Sequence, residues 1–127
     1  MGDLASGESR RDILLCAADW QSRALILAQL QELGYEVMAT PGVTYAIEAV
    51  LRGLDDPPLL LIDVYNDAAA TPEKVSGLLS LLPDRPVILM VGVFDGERWR
   101  PLCERADRCF QRPTRIGDVI AAVQELL

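Results

Sequence analysis

Residues 55–63 read Asp-Asp-Pro-Pro-Leu-Leu-Leu-Ile-Asp, and this stretch decides the architecture. Asp55-Asp56-Pro57-Pro58 stops any preceding helix, because proline lacks an amide donor and pushes the residue before it into extended backbone. Leu59 to Ile62 then run without polar alternation, the pattern of a strand covered on both faces. Asp63 ends the run on a carboxylate. Such a strand needs helices on both sides, which predicts a central place in a parallel sheet.

Upstream, Ile13-Leu14-Leu15-Cys16-Ala17-Ala18 has the same character and forms a first strand. Asp19 follows as the N-cap of a helix whose apolar stripe is Ala24, Leu25, Leu27, Ala28, Leu30 and Leu33, with Gly34 just past its end. Residues 35–39 give a second strand. A second helix over about 43–52 buries Ala46, Ile47, Val50 and Leu51. Downstream, Thr71 caps and Pro72 opens a helix that buries Leu78, Leu79, Leu81 and Leu82. Residues 87–91 form a fourth strand. Pro101 predicts a short or kinked helix within 95–106. A weaker fifth strand at 108–111 leads to a final amphipathic helix over 113–127.

Five strands alternating with five helices predict an α/β fold with a single doubly wound parallel sheet, for which strand order 2-1-3-4-5 is the commonest. The domain spans 12–127, behind a flexible polar leader at 1–11.

Composition narrows function by exclusion. The 127 residues are 50% hydrophobic, with 12 basic and 19 acidic side chains and a formal net charge of −7. That length suits one core. The acidic balance argues against nucleic acid and anionic membranes as partners. There is no histidine, which excludes Ser-His-Asp, Cys-His and His-zinc chemistry. No apolar run approaches the roughly 18 residues of a membrane helix. Met1-Gly2-Asp3-Leu4-Ala5-Ser6 fits the loose myristoylation pattern but has no polybasic segment behind it. Cys16, Cys103 and Cys109 are an odd set without CxxC spacing, read as the reduced thiols of a cytoplasmic protein, with Cys16 and Cys109 in the core.

Ligands on such folds sit beyond the carboxyl ends of the strands. There the sequence places Asp19, Asp63, Gly92 and Arg112. Together with Leu-Gly-Tyr-Glu-Val at 33–37, Pro-Val-Ile-Leu-Met-Val at 86–91 and Arg-Pro at 112–113, these residues make the chain resemble the receiver domain of bacterial response regulators. The resemblance covers nearly all of 12–127 and implies a flavodoxin-like receiver fold in two-component, phosphorelay signalling.

In that family a phosphoryl group passes from a partner histidine to the aspartate ending strand three, which the resemblance places at Asp63. A divalent cation held by an acidic pair neutralises the transferring charge. The pair falls here on Ala17 and Ala18, which offer no side-chain ligand. The Thr/Ser position is Gly92, the Lys position Arg112 and the switching aromatic position Cys109. Asp19 stands one residue beyond the pair, either capping the first helix or acting as a weak metal ligand. The pocket is therefore degenerate, and the chain resembles an atypical, or pseudo-, receiver. The resemblance also implies a cis Arg112–Pro113 peptide.

Asp63 is read either as a phosphoacceptor or as a strand-end acid paired with Arg112. The expected function is a non-enzymatic, regulatory protein–protein interaction module that works independently of phosphorylation and needs no cofactor. The alternative is a receiver phosphorylated on Asp63 with Mg²⁺ bound. A small-ligand or flavin binder is a third reading, weakened by loops without a phosphate cradle. Expected partners are a histidine kinase, an output domain, another regulator or a second copy of the chain. Trp99 and Arg100 on the fourth helix, with Val119 and Val123 on the last, are the interface candidates, Trp99 being either an exposed anchor or tucked under its helix.

Overall fold

The apolar runs assemble into one sheet because each strand is too hydrophobic to leave either face in water. The computed structural model describes residues 11–127. Its strands are β1 (Ile13–Ala17), β2 (Val37–Thr40), β3 (Leu59–Asp63), β4 (Val87–Val91) and β5 (Arg108–Gln111). They are all parallel, in the order β2-β1-β3-β4-β5. The helices are α1 (Trp20–Glu32), α2 (Val43–Leu51), α3 (Pro72–Leu81), α4 (Gly96–Arg105) and α5 (Ile116–Leu126). Of the leader read at 1–11, and of the myristoylation pattern, all but Arg11 lie outside the described residues. The amide of Arg11 donates to Asp55 Oδ1 at 3.2 Å.

Period-two alternation divides each strand between two cores. Leu14, Cys16, Leu60, Ile62, Leu89 and Val91 pack with buried residues of α2, α3 and α4. Ile13, Leu15, Leu59, Leu61, Ile88 and Met90 pack with those of α1 and α5. Asp63 shares the parity of Leu59 and Leu61, so its side chain lies on the α1/α5 side of the sheet. That parity determines which residues can reach it.

Several predicted helix faces are corrected. In α1 the buried pair is Ile26 and Leu30, whereas Leu25 and Leu33 are exposed, because the stripe follows the i, i+4 row through Ile26. Leu51 and Leu81 are likewise exposed, and Ala49 is buried on α2. α4 runs unbroken through Pro101. Proline inside a helix costs about 3 kcal/mol, offset here by burial of Trp99 and Leu102 on either side of it.

Three interface candidates belong to the interior. Trp99 is 1% exposed and sits in the core between α3, α4 and the sheet. Val119 and Val123 are fully buried against the opposite face. Their i, i+4 spacing sets both on the side of α5 that docks on its own sheet. Arg100 is exposed and pairs with Glu97 at 3.7 Å. Phe94, in the loop before α4, is 95% exposed. Trp99→Ala is therefore expected to cost about 3–5 kcal/mol in urea unfolding, as large-to-small changes in a core do. Phe94→Ala is expected to stay within about 0.5 kcal/mol. The reverse order would contradict this placement.

Candidate functional site

Parallel strands deliver their carboxyl ends to one edge of the sheet, and register aligns Ala17 with Asp63 and Asp63 with Met90. Asp63 is 1% exposed. Its Oδ1 accepts the amide of Tyr65 at 3.1 Å. Its Oδ2 accepts a short hydrogen bond from Arg112 Nη2 within an ion pair. Arg112 follows β5, and its peptide bond to Pro113 is cis. The same Nη2 donates to Ser22 Oγ on α1 at 3.0 Å. The guanidinium lies over the Tyr65 ring, 4.4 Å from its centroid, a cation–π contact that holds its plane. One cation is thus anchored by β3, the loop after it, and α1.

Beside it, Asp19 caps α1, its Oδ2 accepting the Ser22 amide at 3.0 Å and its Oδ1 the Asn66 amide group at 3.3 Å. The bond from the Ser22 amide holds the Asp19 carboxyl below its usual range against the opposing effect of desolvation, with lesser help from the Ser22 hydroxyl, Asn66 and the Arg112 charge. Arg23, one turn along the same helix, donates from Nη1 to the carbonyl oxygens of Ala17 at 2.7 Å and Ala18 at 3.3 Å. Across the edge, Asp67 ties the β3–α3 loop to α2 by accepting the Val43 amide at 2.8 Å. Its carboxylate comes so close to Gly42 that a Cβ there would stand 3.0 Å from Oδ2. Gly42 also has φ of 146°, which glycine adopts most easily.

Burial pushes the Asp63 carboxyl above the usual carboxylate range, against the opposing pull of the Arg112 bond, the Tyr65 amide and the Arg112 charge. Desolvation thus outweighs pairing at this carboxyl, as it can for buried ion pairs. Cys16, behind the site on β1, has its thiol raised to about 12 by burial, which leaves it an inert packing group.

No protein-family profile and no curated protein matches the sequence. Solved structures do. An adenylate cyclase from Rhodopirellula baltica aligns with a TM-score of 0.77 at 17% identity, over 92% of this chain and 85% of its own. A CheY-like response regulator receiver domain protein from Methanospirillum hungatei JF-1 aligns at 0.76 and 19%, over 91% and 90%. The receiver domain of sensor histidine kinase PA1611 from Pseudomonas aeruginosa PAO1, with magnesium in its active-site cleft, aligns at 0.71 and 16%, over 91% and 96%. The chain has the fold of response-regulator receiver domains.

On the receiver fold, the residues present do not suit a magnesium ion. Magnesium needs near-octahedral oxygen ligation, usually with one or two carboxylates. Ala17 and Ala18 supply no carboxylate, and their carbonyl oxygens already accept from Arg23. Asp63 Oδ2 faces a guanidinium, and Asp19 is spent as a cap. Among the described residues no three acidic, cysteine or histidine groups cluster as a metal site. The position that the resemblance gives to a Thr/Ser hydroxyl is Gly92. Gly92 has no hydroxyl, and a Cβ added there would stand 2.9 Å from Asp95 Oδ2.

Cys109 is exposed rather than in the core, and it is bonded to Cys103 as a disulfide, so the reading of reduced, buried thiols holds only for Cys16. Cys109 lies on edge strand β5, its register partner being Leu89 on β4. Ser22 and the Tyr65 ring are site residues that the sequence did not single out. A serine three residues after the capping Asp19 was the available signal.

Because the folded state holds the Asp63 proton more tightly than the unfolded chain does, ionising Asp63 withdraws stability as pH rises from the ordinary carboxylate range through the raised value. Removing Arg112 takes away what opposes that shift. Arg112→Ala is therefore expected to lose about 3 kcal/mol near pH ~8 and clearly less near pH ~5, where the orphaned carboxyl can take a proton. Asp63→Asn added to Arg112→Ala should recover most of the loss. Urea denaturation at the two pH values checks this, and an equal loss at both would contradict it.

Proposed function

We propose that the chain is a regulatory protein–protein interaction module on the receiver fold, working without phosphoryl transfer to Asp63. The observation that carries this reading is the Arg112 guanidinium seated on Asp63 Oδ2 while the Tyr65 amide holds Oδ1. A carboxylate attacking phosphorus must free one oxygen and meet a cation that can also bind the incoming oxygens. Here both oxygens are engaged, and the engaging cation belongs to the chain.

The absent acidic pair, the Arg23 contacts with the Ala17 and Ala18 carbonyls, and the missing hydroxyl at Gly92 support the same reading. A ligand without differential contacts to two states shifts no equilibrium. Neighbours described as response-regulator and histidine-kinase receiver domains support a place in two-component signalling, as does their fold. The partner is then a protein: a kinase, an output domain or another regulator. Among the described residues no helix is long and apolar enough to cross a membrane. Exposed Trp20 and Phe94 follow the carboxyl ends of β1 and β4 and offer apolar contact area beside the site.

Incubation with acetyl phosphate and Mg²⁺, followed by intact-mass spectrometry, tests the proposal. The expected result is no phosphate adduct on the folded wild type or on Asp63→Asn. A near-stoichiometric adduct on the wild type that Asp63→Asn abolishes would overturn it in favour of a phosphoaccepting receiver.

A further inference from the structure

α4 is a weak helix by its own sequence. It begins at Gly96 and carries Pro101, which removes one internal hydrogen bond. Trp99 and Leu102 anchor its buried side. Beyond them its polar ties are few: Arg105 Nη1 reaches Ser76 Oγ at 3.4 Å, and the Ala106 amide closes the last turn on Leu102.

The strongest tie is covalent. Cys103, on the last turns of α4, is joined to Cys109 on β5, six positions further along the chain, their Cα atoms 5.3 Å apart. Cys109 pairs with Leu89, so it faces the α2/α3/α4 side, opposite to Asp63. Cys109 is exposed and Cys103 only partly covered, in contrast to buried Cys16. β5 is the edge of the sheet, reached by no further strand among the described residues.

We propose that Cys103 and Cys109 are a redox-responsive pair that clamps α4 to β5, opened by an external dithiol reductant. A thiolate of the dithiol attacks the sulfur of Cys109, the more exposed residue of the pair. The protein S–S bond breaks, a mixed disulfide forms, and Cys103 leaves as a thiolate that takes up a proton. The second thiolate of the dithiol then displaces Cys109, which is protonated in turn. The dithiol ends as a disulfide, and the protein gains two electrons and two protons. The consequence is local: α4 keeps its two buried anchors but loses the tie that fixes its C-terminal half, changing the surface that α4 and β5 present together.

This inference does not depend on Asp63 or on the proposed function, because the clamp lies on the other face of the sheet. The test uses the air-oxidised protein with and without dithiothreitol under native conditions, read by iodoacetamide labelling with intact mass and by hydrogen exchange of peptides over 94–106. Before reduction, no label on Cys103 or Cys109 is expected. After it, two labels should appear, with exchange of α4 amides faster on the order of tenfold and exchange in β1 and β3 unchanged. Cys103→Ser and Cys109→Ser, each without reductant, should reproduce the faster α4 exchange. Labelling of both thiols before reduction, a bond that opens only under denaturing conditions, or α4 exchange indifferent to reduction would each overturn the proposal.

Discussion

The Arg112–Asp63 contact is the constraint on which the carboxyl edge of this sheet depends. Parallel strands and period-two alternation leave an acid at the end of β3 pointing into the α1/α5 side, away from water. A buried carboxylate without a partner is strongly unfavourable. The chain supplies one from the residue after β5, and Ser22 and the Tyr65 ring keep that guanidinium in place. Because desolvation still raises the Asp63 carboxyl, the pair contributes geometry more than stability. Breaking it leaves a buried charge, and that penalty keeps β3, the following loop, α1 and the turn after β5 in register.

A second arginine completes the arrangement. Arg23 occupies the carbonyls at the end of β1, and Asp19 is committed to the N-terminus of α1. Where a receiver site would gather oxygens around a divalent ion, this edge gathers two guanidinium groups around oxygens. Guanidinium stays charged at any ordinary pH and binds through fixed, planar donors. At this edge both Asp63 oxygens and the Ala17 and Ala18 carbonyls are already engaged by donors of the chain itself.

The fold was legible because its signals are local and redundant. Leu59–Ile62 and Val87–Val91 are continuous apolar runs, Asp19 and Thr71 are side-chain caps, and all of these appear as read. Strand order followed from the number of alternating units. The roles of Asp19 and Arg112 were legible too, since a cap and an arginine–carboxylate pair follow from residue type and topology. Other features depend on which way a side chain turns, and pattern alone does not decide that. Trp99 between two arginines reads equally well as an exposed anchor or a core residue, and the packing of α4 decides for the core. Val119 and Val123 have the same stripe whether they meet a partner or their own sheet. The Cys103–Cys109 bond required knowing that the chain reverses between α4 and the edge strand so that the two side chains meet, which cysteine spacing does not carry.

The most direct measurement is an Mg²⁺ titration of ¹⁵N-labelled protein followed by amide NMR shifts at Asp63, Tyr65 and the residues flanking Arg112. If a guanidinium holds the place a metal would need, these amides show no saturable shift up to the millimolar range and change no more than exposed acidic positions elsewhere. Saturable shifts confined to Asp63, Tyr65 and the end of β1, weakened by Asp63→Asn, would contradict the account.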